Sequence, residues 1–225
     1  MAYLFRSRVV VRLKQLQKAL FFLLLVKPIL SLIIGLHIRD QQRLPKRGPA
    51  LVVANHNSHL DVFVLMSLFP LRMLSKLRAV AAADYFLSNP LLAWFSLNLV
   101  GILAIDRHPK RGRTDPLAPV EAALARNEIV ILFPEGSRGD PEVMTPLRSG
   151  IAHLLQRHPE LEATPVFLHG LGKALPKGEA LLVPFFCDAL VGEPIRWSGD
   201  KQQCLSQLMK TFKQLATELN AATQE

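Results

Sequence analysis

Cysteine is scarce in this 225-residue chain, which has only Cys187 and Cys204. Their separation matches no metal-binding or redox spacing, and two residues cannot build a disulfide framework. Both are expected to be thiols in a reducing compartment. Acidic side chains are missing from the first 39 residues, which carry Arg6, Arg8, Arg12, Lys14, Lys18, Lys27 and Arg39; the first carboxylate is Asp40. Long hydrophobic runs are missing too. ALFFLLLV (19–26) and ILSLIIGL (29–36) are parted by Lys27-Pro28, and each alone falls short of the ~20 residues that cross a bilayer. No internal repeat, low-complexity tract, zinc-finger spacing or RNA-recognition signature is present, so the net charge of +9 is not read as nucleic-acid affinity.

What is present at the N-terminus is a basic arm beside an apolar segment. Such a pairing favours anionic lipid headgroups, at about 1 kcal/mol per Lys or Arg near the surface. The stretch around Gly35 to Arg39 has no small-residue cleavage site, which argues against a secretory signal. The combined length of 19–36 allows a single span. A central lysine in a span costs roughly 2.5–3.5 kcal/mol, and Pro28 kinks a helix. A kinked helix pair lying in one leaflet is therefore expected first. The division expected is a basic, hydrophobic attachment segment over 1–39 and a catalytic domain over 40–225. The chain is placed at the cytoplasmic face of a membrane, as a monotopic protein or with one N-terminal span.

Beyond the polar DQQRLPKRGP (40–49), read as a linker, short apolar strands alternate with helical patterns. LVVAN (51–55), Arg78–Ala83, ILAID (102–106), EIVILF (128–133) and TPVFLHG (164–170) read as strands, and 180–190 is strand-rich. Helical patterns begin at Ser58 and stop at Pro70, run over 85–99 with a break at Asn89-Pro90, and recur over 116–126, 149–157 and 200–222. This alternation predicts an α/β fold, a layered mixed sheet flanked by helices.

Four segments carry polar chemistry. In Asn55-His56-Asn57-Ser58-His59-Leu60-Asp61, Ser58 and Asp61 match a capping box, an ordinary helix start. The same turn brings His56 against Asp61. A carboxylate on one imidazole nitrogen fixes the tautomer and leaves the other nitrogen as a base. With no serine or cysteine nucleophile in the segment, such a pair suits deprotonation of a substrate hydroxyl. Phe133-Pro134-Glu135-Gly136-Ser137-Arg138-Gly139 follows the strongest predicted strand, where α/β proteins place ligand loops. Gly136 and Gly139 permit tight turns, Arg138 offers a planar fork for phosphate, and Glu135 can hold an arginine or accept from substrate hydroxyls. For this loop alone, a polar surface turn is the simpler reading. Arg107 ends Gly101–Arg107 beside a basic loop, and Thr164-Pro165-Val166-Phe167 reads as strand.

In order and spacing, NHNSHLD, GILAIDR, FPEGSRG and TPVF resemble the blocks of the glycerolipid acyltransferase family, which includes 1-acylglycerol-3-phosphate acyltransferases and is marked by an HxxxxD motif. The likeness covers about residues 50–170, and VGEPI (191–195) is similar to the family's C-terminal strand. The resemblance implies His56 as catalytic base and Asp61 as its partner. It implies Arg107, Glu135, Gly136, Ser137 and Arg138 as acceptor-binding residues. The donor would be acyl-CoA or acyl carrier protein as co-substrate, with no cofactor and no metal, and the lipid partners would be those of the membrane. Ser137 stands where the family usually has Thr, Gly139 where Ser is common, Arg148 where Lys is typical, and Asn127 where a glycine is usual. These departures leave the acceptor open, with a lysophospholipid such as 1-acylglycerol-3-phosphate as the default. Two rival readings remain: a metal-dependent hydrolase using His56, His59 and Asp61, with His108 and Glu135 as further ligands, and a non-catalytic membrane-binding protein.

Overall fold

A computed structural model of the chain describes residues 2–106, 115–139, 143–174 and 185–222. Its centre is a seven-stranded sheet ordered β1-β7-β6-β2-β5-β3-β4. The strands are β1 (Leu36–Arg39), β2 (Ala50–Ala54), β3 (Leu77–Ala82), β4 (Ile102–Ile105), β5 (Ile129–Leu132), β6 (Ala163–His169) and β7 (Cys187–Val191). All neighbours pair in parallel except β6 with β7, which run antiparallel. The mixed sheet expected from sequence is present.

β2 and β5 are apolar at every position because they are buried on both faces. Their side chains alternate between two layers. Ala50, Val52, Ala54, Ile129 and Ile131 face one core; Leu51, Val53, Val130 and Leu132 face the other. The second core is covered by α6 (Ala118–Ala125), α7 (Gly150–Arg157) and α9 (Lys201–Ala222). The first is covered by α1 (Ala2–Phe21), α2 (Lys27–Leu32), α3 (Asp61–Ser67) and α8 (Leu171–Ala174), with α4 (Ala83–Phe86) and α5 (Pro90–Phe95) beside them. Cys187 and Cys204 are buried in different cores.

The N-terminal segment does not stand apart from this body. Lys18, Phe22, Val26, Leu30 and Ile34 are all buried, one every fourth position. A regular α-helix turns such a stripe by roughly 40° per step. The π-helical turn Phe22–Val26 between α1 and α2 is wider and offsets that drift, so the stripe stays against the domain. Phe21 and Phe22 pack on Phe63 of α3, with ring centroids 6.3 Å apart in each pair. The Lys18 ammonium donates to the Val100 carbonyl at 2.8 Å and the Leu77 carbonyl at 3.3 Å. Val100 ends the π-helical turn Ser96–Val100, where carbonyls lack helical partners and attract a cation.

β1 is absent from the sequence-based elements. Residues 36–39, expected to lie in the attachment segment, pair with β7 from Leu36 opposite Cys187 to Arg39 opposite Leu190. A four-residue edge strand directly after an apolar helix has no periodicity of its own to reveal it. The strand-rich reading of 180–190 narrows to β7, residues 175–184 lying outside those described.

Phe22 is fully buried, so Phe22→Ala removes a ring and leaves a cavity. We expect a loss of about 3–5 kcal/mol of unfolding free energy, read by denaturant titration in detergent, with earlier proteolysis of the N-terminal helices.

Candidate active site

The chain leaves β2 toward β3 on one side, and leaves β5 toward β6 on the other. β2 and β5 are neighbours, and the helix after β2 (α3) packs on one face of the sheet while the helix after β5 (α7) packs on the other, so a crevice opens beyond their carboxyl ends. Both polar motifs emerge there: His56 two residues after β2, and Glu135 three residues after β5.

Asn55 fixes the turn before His56. Its side chain donates to the Leu168 carbonyl at 2.8 Å and accepts from the Leu168 N–H at 2.7 Å, extending the pairing of β2 with β6 past the strand end. His56 is then held at four points. Its backbone N–H donates to Glu135 Oε1 at 2.9 Å, and its carbonyl accepts from the Gly139 N–H at 3.0 Å. Its ring stacks on Phe133 with centroids 4.0 Å apart. Its Nδ1 lies 2.9 Å from Asp61 Oδ2. The side chain keeps 19% exposure, so an incoming molecule can reach the ring.

Asp61 is fully buried, and an isolated carboxylate there would be costly. Oδ2 also accepts from the backbone N–H groups of Asn57 at 2.8 Å and Ser58 at 2.9 Å. These donors satisfy an oxygen that would otherwise be buried without partners. Because a carboxylate only accepts, Nδ1 of His56 is the protonated nitrogen and Nε2 carries the lone pair. The capping box predicted from Ser58 and Asp61 is present in its carboxylate half. The helix itself is α3, Asp61–Ser67, shorter than the predicted stretch from Ser58 to Pro70, and the Ser58 hydroxyl accepts from the Leu60 N–H at 3.3 Å.

The expected acceptor-binding residues divide by position. Both oxygens of buried Glu135 accept from the protein itself: Oε1 from His56, and Oε2 from the Thr145 N–H at 2.9 Å and hydroxyl at 2.6 Å. Gly136 has φ +76 and a neighbour, Arg148, whose side chain fills the space a Cβ would need. Arg148 Nε in turn donates to the Glu135 carbonyl at 3.2 Å. Ser137 is exposed and Arg138 half-buried. Arg107 lies outside the described residues, as does His108.

His59 stacks on Tyr85 at 5.6 Å, meets Phe86 edge-on at 6.5 Å, and has its Nε2 3.4 Å from the Tyr85 hydroxyl. Burial holds its pKa below the usual histidine value; the positive charges of Arg138 and His56 act in the same direction, against Asp61. Among the described residues, no group of three or more His, Cys, Asp or Glu side chains is arranged to hold a metal ion. The sequence alone assigns no role to Phe133, Thr145 or Tyr85. Phe133 sits inside a recognised motif, but nothing in the sequence pattern links Thr145 or Tyr85 to this site.

Residues 35–170 match the Acyltransferase family model. The chain is 26% identical over 171 residues to the chloroplastic 1-acyl-sn-glycerol-3-phosphate acyltransferase of Arabidopsis thaliana, covering 75% of this chain and 46% of that protein. It is 28% identical over 124 residues to the lyso-ornithine lipid O-acyltransferase of Rhizobium meliloti, covering 53% of this chain and 38% of that protein. The chain thus spans half or less of the length of these relatives. In fold it is similar to the 1-acyl-sn-glycerophosphate acyltransferase of Thermotoga maritima, with a TM-score of 0.72 at 18% identity over 95% of this chain and 81% of that one. The family match extends from β1 through β6 and takes in both loops around His56; the chain belongs to the Acyltransferase family.

Proposed function

We propose that this protein moves a fatty-acyl group from a thioester donor to the hydroxyl of a lysophospholipid-type acceptor at a membrane surface. The observation that carries the reading is the His56–Asp61 pair, 2.9 Å apart, at the crevice of an Acyltransferase fold. The names of the relatives favour 1-acylglycerol-3-phosphate as acceptor. The donor proposed is acyl-CoA or acyl carrier protein, each of which presents the same thioester.

In this reaction Nε2 of His56 takes the acceptor's hydroxyl proton as the oxygen attacks the thioester carbonyl. The buried Asp61 carboxylate, accepting from Nδ1–H, stabilises the imidazolium that forms. The tetrahedral intermediate collapses to the new ester, and the departing sulfur recovers the proton from Nε2 as a thiol. No cofactor enters this sequence, since the histidine itself carries the proton out and back. Glu135 acts on the substrate indirectly, by fixing the backbone of His56. Arg138 anchors the acceptor's phosphate by charge-assisted hydrogen bonds, and Arg107 is proposed to share that role on its place in the sequence.

Membrane attachment is proposed to be monotopic and on the cytoplasmic side. Val10–Leu32 is long and apolar enough to cross a membrane, but its buried stripe lies against the catalytic body. The face left over carries exposed Leu13, Leu16, Leu20, Leu24 and Leu32, which suits a helix lying along one leaflet. The basic arm suits the anionic cytoplasmic leaflet.

Purified His56→Ala should lose about 10²- to 10⁴-fold of its turnover while circular dichroism and vesicle binding stay as in the parent. The assay is thiol release from acyl-CoA with 1-acylglycerol-3-phosphate; parent-like turnover by the variant would end the proposal. Arg138→Ala should raise the KM for that acceptor by about tenfold or more, the loss of one charge-assisted contact, with kcat little changed. An unchanged KM would remove Arg138 from the acceptor site.

A further inference from the structure

α4, α5 and the π-helical turn Ser96–Val100 form a short arm with an unusual surface. From Tyr85 to Ile105 the sequence YFLSNPLLAWFSLNLVGILAI contains no charged residue. Leu91 is 76% exposed and Trp94 52% exposed, with Leu87 and Leu97 exposed as well. A helix face turned to water ordinarily carries charge, as the outer face of α9 does with Lys210, Lys213 and Glu218. Exposed apolar side chains in a contiguous group mark an interaction surface.

The position of the arm identifies what covers it. α5 lies beside α1: the rings of Phe21 and Phe95 meet edge-on at 5.5 Å, and Lys18 is bonded to the Val100 carbonyl. The exposed apolar faces of α1 and of this arm therefore belong to one continuous layer on the same side of the sheet. At its base the arm holds the site, where Tyr85 and Phe86 pack on His59, three residues from His56. An indole next to exposed leucines suits the headgroup boundary, where an amphipathic ring has one end apolar and the other wet.

From this we infer that the α4–α5 arm is a second lipid-binding element. It would enter the same leaflet as the N-terminal helices, so that the site is held at the lipid surface at two points. The occupant is the lipid surface itself, in keeping with the absence of charge from Tyr85 onward, Asp84 at the arm's base being its one acidic residue, and with the continuity with α1. The inference rests on the membrane attachment proposed above and goes beyond it by assigning a different element.

The two tryptophans allow a direct test, since Trp197 packs in the opposite core. The full-length protein is reconstituted with vesicles of phosphatidylcholine and phosphatidylglycerol whose acyl chains carry bromine, and compared with unbrominated vesicles. Trp197→Phe leaves Trp94 as the sole indole; Trp94→Phe leaves Trp197. Trp94 emission should fall about twofold or more, as for a ring roughly 5–10 Å into the headgroup boundary, and Trp197 emission should be unchanged. Protein that pellets with the vesicles yet shows an unquenched Trp94 would overturn the inference while leaving attachment through α1 intact. Protein that does not pellet at all would overturn both. In a second arm, Leu91→Asp should weaken use of acceptor embedded in vesicles on the order of tenfold and leave use of monomeric short-chain acceptor in detergent as in the parent. Equal activity of variant and parent on vesicles would count against the arm.

Discussion

A single buried carboxylate sets the geometry on which the rest depends. Asp61 has no exposure and would be expensive to bury alone, yet one of its oxygens collects His56 Nδ1 and two backbone N–H groups. Those bonds curl residues 56–58 around the start of α3 and select the imidazole tautomer. In the proposed reaction the ring is thereby held in place before any substrate arrives, so little reorganisation is left for the proton transfer. Phe133 closes one face of the ring and Glu135 holds the backbone behind it, which explains why an acidic residue in the second motif serves the first.

The sheet explains why these pieces meet. The sites of open α/β sheets lie where neighbouring strands send their connections in opposite directions, and in this chain that point is the β2–β5 boundary. Parallel pairing of Ala50 with Ile129 through Val53 with Leu132 brings the two carboxyl ends level, so two loops 79 residues apart share hydrogen bonds. Buried on both faces, the two strands have little freedom to slip, because a shift by one residue would exchange the two cores.

The two faces of the sheet carry different surfaces. The layer of α6, α7 and α9 ends in an outer face rich in lysine and glutamine along α9. The opposite layer ends in leucine, with Lys18 turned inward as its anchor. Burial, with the positive charge of Arg78 nearby, pushes the Lys18 pKa down to about 7, and two backbone carbonyls accept hydrogen bonds from its amine. The π turn at Phe22–Val26 is the local distortion that keeps the contact in register.

The sequence by itself determined the α/β alternation and the approximate extent of most strands and helices, because apolar periodicity is a local property. It also placed His56 beside Asp61, since five residues at a helix start can meet in only a few ways. The HxxxxD block and the FPEG loop were legible as motifs for the same reason. Their contact was not: the bonds of Glu135 to His56 and Thr145, and the stacking of Tyr85 on His59, join segments that no spacing relates. β1 escaped because four residues at a sheet edge leave no pattern. The apolar N-terminus reads as an attachment, but only tertiary packing made one stripe of it part of the protein core and left the other exposed. Helical periodicity says which residues share a face; it does not say what that face will meet.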